Sequence, residues 1–152
     1  MRILFVILII CISGENIIAQ VPDTVGDESF LPKLFNQDKR IFLLFSPSQK
    51  YEQYEQQMNI LLKNRKLLTK AGVALYKLYP KEGLSPLNKR LATANVLKLR
   101  QQFDIEEDDF ALMYVTVNGA VKMRQEEVVG IEDLLIVIDT TTYFQPEYEF
   151  RP

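Results

Sequence analysis

The run Ile41-Phe42-Leu43-Leu44-Phe45 constrains this chain more than any other feature. It lies between Arg40 and Ser46-Pro47-Ser48 and is too short for a buried helix. A strand turns successive side chains to opposite faces, so a strand that is apolar throughout must be covered on both. That requires a sheet with helices on each side. Downstream, Tyr51, Tyr54, Met58, Leu61, Leu62, Arg65 and Leu68 recur at three- and four-residue steps among Gln, Glu and Lys. This spacing predicts an amphipathic helix over about 48–70, capped by Ser46 or Ser48 and ended by Gly72. Val73–Tyr79 reads as a second strand. Strand, long helix and strand in this order predict a right-handed unit with parallel strands.

Pro80–Lys89 reads as a loop, with Gly83 and Pro86. Leu91–Phe103 is helical, with Val96, Leu99 and Phe103 on one face. Ile105–Asp109 is an acidic connection, and Phe110–Val117 is a third strand. Asn118-Gly119 is a strong hairpin signal, because a type I′ turn needs positive φ at both central residues. Ala120–Arg124 is the returning strand. Gly130 opens a last helix whose stripe is Ile131, Leu134, Leu135 and Ile138, with Glu132 and Asp133 at its positive end. Thr140–Thr142 ends it. The expected class is therefore α/β, in the order β-α-β-α-β-β-α. The sheet should be mixed and four-stranded, in the order 2-1-3-4, with helices on both faces. That arrangement is thioredoxin-like.

The flanks read differently. Ile3–Ile12 is apolar and follows Met1-Arg2. It has the length of a signal-peptide core and is too short to span a membrane. Residues 1–19 are read as a signal peptide cleaved after Ala19, with Gly14 as the alternative. Lipidation of Cys11 is less favoured, because Ile10 stands where a small residue is wanted. Either way the domain is exported, to the periplasm or outside the cell. Residues 20–39 form an irregular lead-in with one short helix near 29–36. The expected domain is 40–142, and 143–152 is an aromatic, acidic tail.

Two small counts decide the chemistry. The chain has no histidine, and its one cysteine lies inside the apolar leader. A domain cleaved as expected has neither thiol nor imidazole. This excludes thiol redox turnover, Cys-His and Ser-His-Asp catalysis, and zinc sites of the Cys/His kind. With 18 basic and 20 acidic residues the net charge is −2, a poor basis for holding nucleic acid. The six glycines are scattered, so no phosphate loop or other cofactor motif is visible. The run Glu106-Glu107-Asp108-Asp109 lacks the alternation and the glycine of a calcium loop and reads as a solvated connection.

Three blocks carry a resemblance. They are IFLLFSPSQ at 41–49, LRQQFDI at 99–105 leading into FALMYVTVNGAVKMR at 110–124, and GIEDLLIVID at 130–139. Together they resemble the family catalogued as domain of unknown function 4174, also called the DUDES domain. The resemblance implies a thioredoxin-like fold. It also implies the setting of that family, which is short exported bacterial proteins and animal extracellular-matrix proteins beside sushi repeats. It implies no reaction, because the family has no established enzyme activity. Bacterial members carry a Met-Pro, arginine-rich stretch after the last helix, whereas this chain has Thr140–Gln145 there.

In a thioredoxin fold the reactive thiols follow the first core strand, and here that place reads Ser46-Pro47-Ser48-Gln49. Serine hydroxyls cannot cycle through disulfides. Ser46 or Ser48 is expected as a helix cap, or with Gln49 as an anion- or peptide-binding spot on free N–H groups. Asp108-Asp109 stands where active thioredoxins place a cis-proline. Lys122 and Arg124 should share a face of the hairpin, suited to a carboxylate or phosphate or to guarding an edge strand. Arg65 and Arg100 read as surface salt-bridge formers, with Arg100 also a candidate ligand- or partner-binding residue, and Tyr51 and Tyr54 read as helix packing. The expectation is a redox-inactive module that binds an envelope or extracellular protein or peptide. The alternative is a non-thiol enzyme or small-anion binder using charged groups near 46–49.

Overall fold

The computed structural model describes residues 30–35, 39–116 and 119–142, with the backbone alone for 140–142. The expected signal peptide, most of the lead-in, Asn118 and the tail 143–152 lie outside the described residues. Among the described residues no helix is long and apolar enough to cross a membrane.

The elements are α1 (Phe30–Phe35), β1 (Arg40–Phe45), α2 (Glu52–Lys63), α3 (Arg65–Lys70), β2 (Val73–Leu78), β3 (Gly83–Leu84), α4 (Thr93–Phe103), β4 (Ala111–Val115), β5 (Val121–Gln125) and α5 (Ile131–Thr142). They form an α/β fold around one mixed sheet. The expected sheet of four strands in the order 2-1-3-4 is corrected to five strands in the order β3-β2-β1-β4-β5. The added strand lies in the segment read as a loop. Gly83 and Leu84 pair antiparallel with Leu78 and Lys77. Gly83 is buried, and a Cβ there would sit 2.7 Å from Val96 Cγ2 and 3.0 Å from Leu91 Cδ1. The close approach of this strand to α4 therefore depends on a residue without a side chain.

β1 lies between β2, which is parallel to it, and β4, which is antiparallel. Its five apolar residues are all fully buried. Ile41, Leu43 and Phe45 join one core with Leu34, Val96, Leu99 and Phe103 from α1 and α4. Phe42 and Leu44 join the other with Tyr54, Leu61, Leu68, Leu134 and Ile138 from α2, α3 and α5. The strict alternation of one strand thus fills two cores.

The long helix expected over 48–70 starts later and is divided. Asn64 leaves helical geometry at φ −105° and ψ 15°. Its side-chain amide donates to Ile60 O at 2.9 Å, competing for an acceptor the helix would use. Gly72 then turns the chain with φ +68°. The fourth helix ends on Asp104, left-handed at φ 52°, with Ile105 N donating back to Arg100 O at 3.0 Å. At the hairpin Gly119 has φ +80°, and Thr116 N donates to Ala120 O at 2.9 Å.

Candidate functional site

The carboxyl ends of β1 and β2 meet where a thioredoxin-like sheet would present its thiols. Ser46 and Arg100 are turned inward there. Ser46 is fully buried. Its N–H donates to Leu78 O at 3.0 Å, and its hydroxyl donates to Ser48 O at 2.8 Å, closing the Ser-Pro-Ser turn on itself. Ser46 therefore does not cap the helix. The N-cap of α2 is Tyr51, which makes no side-chain capping bond, and the first turn carries Glu52 and Glu55. Those carboxylates already complement the positive helix end, so the turn does not favour an incoming anion. Ser48 and Gln49 are exposed beside it.

Arg100 closes the end from below. It is 4% exposed, although it was expected at the surface. Its Nε donates to Tyr79 O at 3.2 Å, and its Nη2 donates to Ser46 O at 3.2 Å and Leu78 O at 3.5 Å. Its Nη1 donates to Glu106 O. The guanidinium carbon lies 5.7 Å from the Phe45 ring centre, within cation–π range. Burial lowers the Arg100 pKa, and the nearby carboxylates of Asp109 and Glu107 oppose that shift. A planar group with five donors suits a place where several strand-end carbonyls converge. The signal that would have revealed it is its position: Arg100 is four residues after Val96 and three before Phe103, on the apolar face of α4.

Two further buried polar contacts support this end. The Tyr79 hydroxyl donates to the Tyr54 hydroxyl at 2.6 Å. Burial raises the pKa of both phenols, and for Tyr79 the hydrogen bond it donates adds to the rise. Gln57 is fully buried on α2 and makes a two-bond clasp with Val129: its amide donates to Val129 O at 3.1 Å, and its carbonyl accepts from Val129 N at 2.7 Å. Gln57 was missed because glutamine reads as surface, yet it lies three residues after Tyr54 and four before Leu61 on the buried stripe.

Lys122 and Arg124 are separated from this end. Arg124 donates to Phe103 O at 2.8 Å and Asp104 O at 3.5 Å, and pairs with Glu126 at 3.2 Å. It thus serves the C-terminal end of α4, where a cation is favourable. Lys122 is exposed, but the ladder pairs Met123 with Tyr114 and Val121 with Val115, leaving Lys122 in a bulge. Lys122 and Arg124 are both exposed on either side of buried Met123, as alternation expects. In the acidic connection, Asp109 Oδ2 accepts from Glu106 N at 2.7 Å.

A groove lies along the β5 edge of the sheet. Between β5 and α5 a space of about 360 Å³ is lined by Met123, Gln125, Val129 and Ile136, with Glu127 and Asp133 also on its walls. Ile136 is 60% exposed.

A family model described as "Domain of unknown function (DUF4174)" matches residues 32–147. The chain belongs to the DUF4174 family. No curated protein matches it. Two similar solved structures are peroxiredoxins. One is the reduced 2-Cys peroxiredoxin of Plasmodium vivax, with a TM-score of 0.56 at 14% identity, covering 73% of this chain and 82% of that one. The other is Prx1a of Plasmodium yoelii, modified at its N-terminus and forming an artifactual octamer, with a TM-score of 0.58 at 14% identity, covering 80% and 83%. At this identity the likeness is one of fold, and the fold of this DUF4174 chain is thioredoxin-like.

Proposed function

We propose that this DUF4174 chain is an exported, redox-inactive binding module, and that it takes an extended peptide segment in the groove between β5 and α5. The observation that carries the first half is Arg100. The reaction end of the thioredoxin-like sheet is filled by a guanidinium bonded to four main-chain carbonyls. A group so fully engaged has little left to offer a substrate. Export rests on the apolar run Ile3–Ile12.

Three features support the peptide groove. β5 is an edge strand, so the side away from β4 has no strand partner among the described residues. Such an edge offers main-chain donors and acceptors to an added strand. Met123 and Gln125 line the groove, while Arg124 is turned to the end of α4. The walls combine apolar side chains with Glu127 and Asp133, which complements a peptide carrying an apolar residue beside a lysine or arginine.

The test is selection from a displayed random-peptide library on the purified protein and on its Ile136→Glu variant. Enrichment of apolar-basic peptides on the parent alone, with hydrogen-exchange protection of the 121–125 amides, supports the reading. No enrichment, or equal enrichment on both proteins without protection at β5, overturns it.

A further inference from the structure

A second concavity lies at the other edge of the sheet, on the face covered by α2 and α3. We propose that it binds a small apolar monocarboxylate, with the carboxylate held by Lys77 and Arg65 and the hydrocarbon body lying against Met58, Leu62 and Leu75. This inference is independent of the peptide groove.

The cleft exists because the sheet is incomplete there. β3 pairs with Lys77 and Leu78 alone, so the earlier part of β2 has no outer neighbour strand. Val73, Leu75 and Lys77 alternate toward α2 and α3, and all three line the opening with Phe42 and Leu61. The space is about 270 Å³.

Charge selects the headgroup. Two of the lining residues are cationic and none is acidic. Lys77 Nζ donates to Asn88 Oδ1 at 2.7 Å, which leaves two of its three N–H groups for a ligand. Partial burial lowers the Lys77 pKa with no carboxylate to offset it, so an anion placed there would relieve a cost the protein already carries. Arg65 is exposed at the start of α3 and has no ion-pair partner among the described residues. A bare phosphate would leave the aliphatic walls wet, and an amine would meet two like charges. An anionic head on an apolar body satisfies both parts of the site.

The probe is octanoate, titrated into the purified protein by calorimetry and by amide chemical-shift mapping, with octylamine as the charge-reversed control. Octanoate should bind and shift the 61–77 amides, and octylamine should not. Lys77→Met should weaken octanoate tenfold or more, because a charge-assisted contact is lost. Lys77→Arg should retain binding. Arg65→Gln, at an exposed position, provides a second test if Lys77→Met does not fold, with a several-fold loss expected. Absence of octanoate binding at millimolar concentration overturns the proposal. So does equal binding of octylamine, or an affinity unchanged in both charge-removing variants.

Discussion

Replacing Arg100 with alanine removes four donors from a place water does not reach. The carbonyls of Ser46 and Tyr79 each lose a charge-assisted bond, while Leu78 O and Glu106 O keep only their bonds from Ser46 N and Asp109 N. Leaving a buried acceptor unpaired costs about 1–3 kcal/mol. Two such losses, together with the weakened bonding of the other two carbonyls, make about 4 kcal/mol the expected total. That is a large fraction of the roughly 5–15 kcal/mol that holds a domain folded. In urea, with a slope of about 2 kcal/mol per molar, the midpoint should fall by about 2 M without a change of slope. Arg100→Met, which keeps most of the packing against Phe45, should lose nearly as much. Arg100→Lys should recover only part, since a lysine lacks the planar fork. An Arg100→Ala midpoint within about 0.5 M of the parent would refute the reasoning, because at that slope it leaves only about 1 kcal/mol for the whole cluster.

Other consequences can be checked in the same denaturation assay. Gln57→Leu strands both the N–H and the C=O of buried Val129 and should cost about 2–3 kcal/mol. Gly83→Ala forces a Cβ against Val96 and Leu91 and should cost about 1–3 kcal/mol through overpacking, whereas an unchanged midpoint would mean that β3 moves away from α4 easily. The Tyr54–Tyr79 pair gives a pH dependence. Both folded-state pKa values lie above the unfolded value of about 10, so the pair's contribution is complete below that pH and is lost as pH rises beyond it. Phenolate absorbance should therefore show these two tyrosines ionising together with unfolding, and Tyr79→Phe should flatten the alkaline loss of stability.

The legible part of the fold was the part governed by periodicity. Ile41–Phe45 is apolar at every position and proves buried at every position, and the stripe Val96, Leu99, Phe103 lies against it. Gly72 and Gly119 adopt the positive φ that turn chemistry demands. What escaped has no periodic signature. Gly83–Leu84 is two residues long and pairs only because β2 offers an edge. The break at Asn64, whose side-chain amide donates to Ile60 O, falls within an unbroken amphipathic pattern.

The candidate site was less legible, because residue type misleads wherever a polar side chain is consumed internally. The sequence located the place, 46–49, and its lack of thiols. It did not reveal that Ser46 would turn to Ser48 O, or that an arginine on a helical stripe would be drawn under strand ends to meet carbonyls. Lys122 and Arg124 show the converse. Their spacing implied a paired binding spot, whereas Arg124 is taken up by Phe103 O, Asp104 O and Glu126.

Thiol labelling reads directly whether the carboxyl end of the sheet is closed. Ser46→Cys and Ser48→Cys would each be made in a Cys11→Ser background and exposed to a thiol reagent under native conditions. The Ser48→Cys protein should react at the rate of a free surface thiol. The Ser46→Cys protein should react only as fast as the domain unfolds, because position 46 is fully buried. Fast labelling at position 46, with the fold intact, would mean that the end is open and that a reactive pocket survives there.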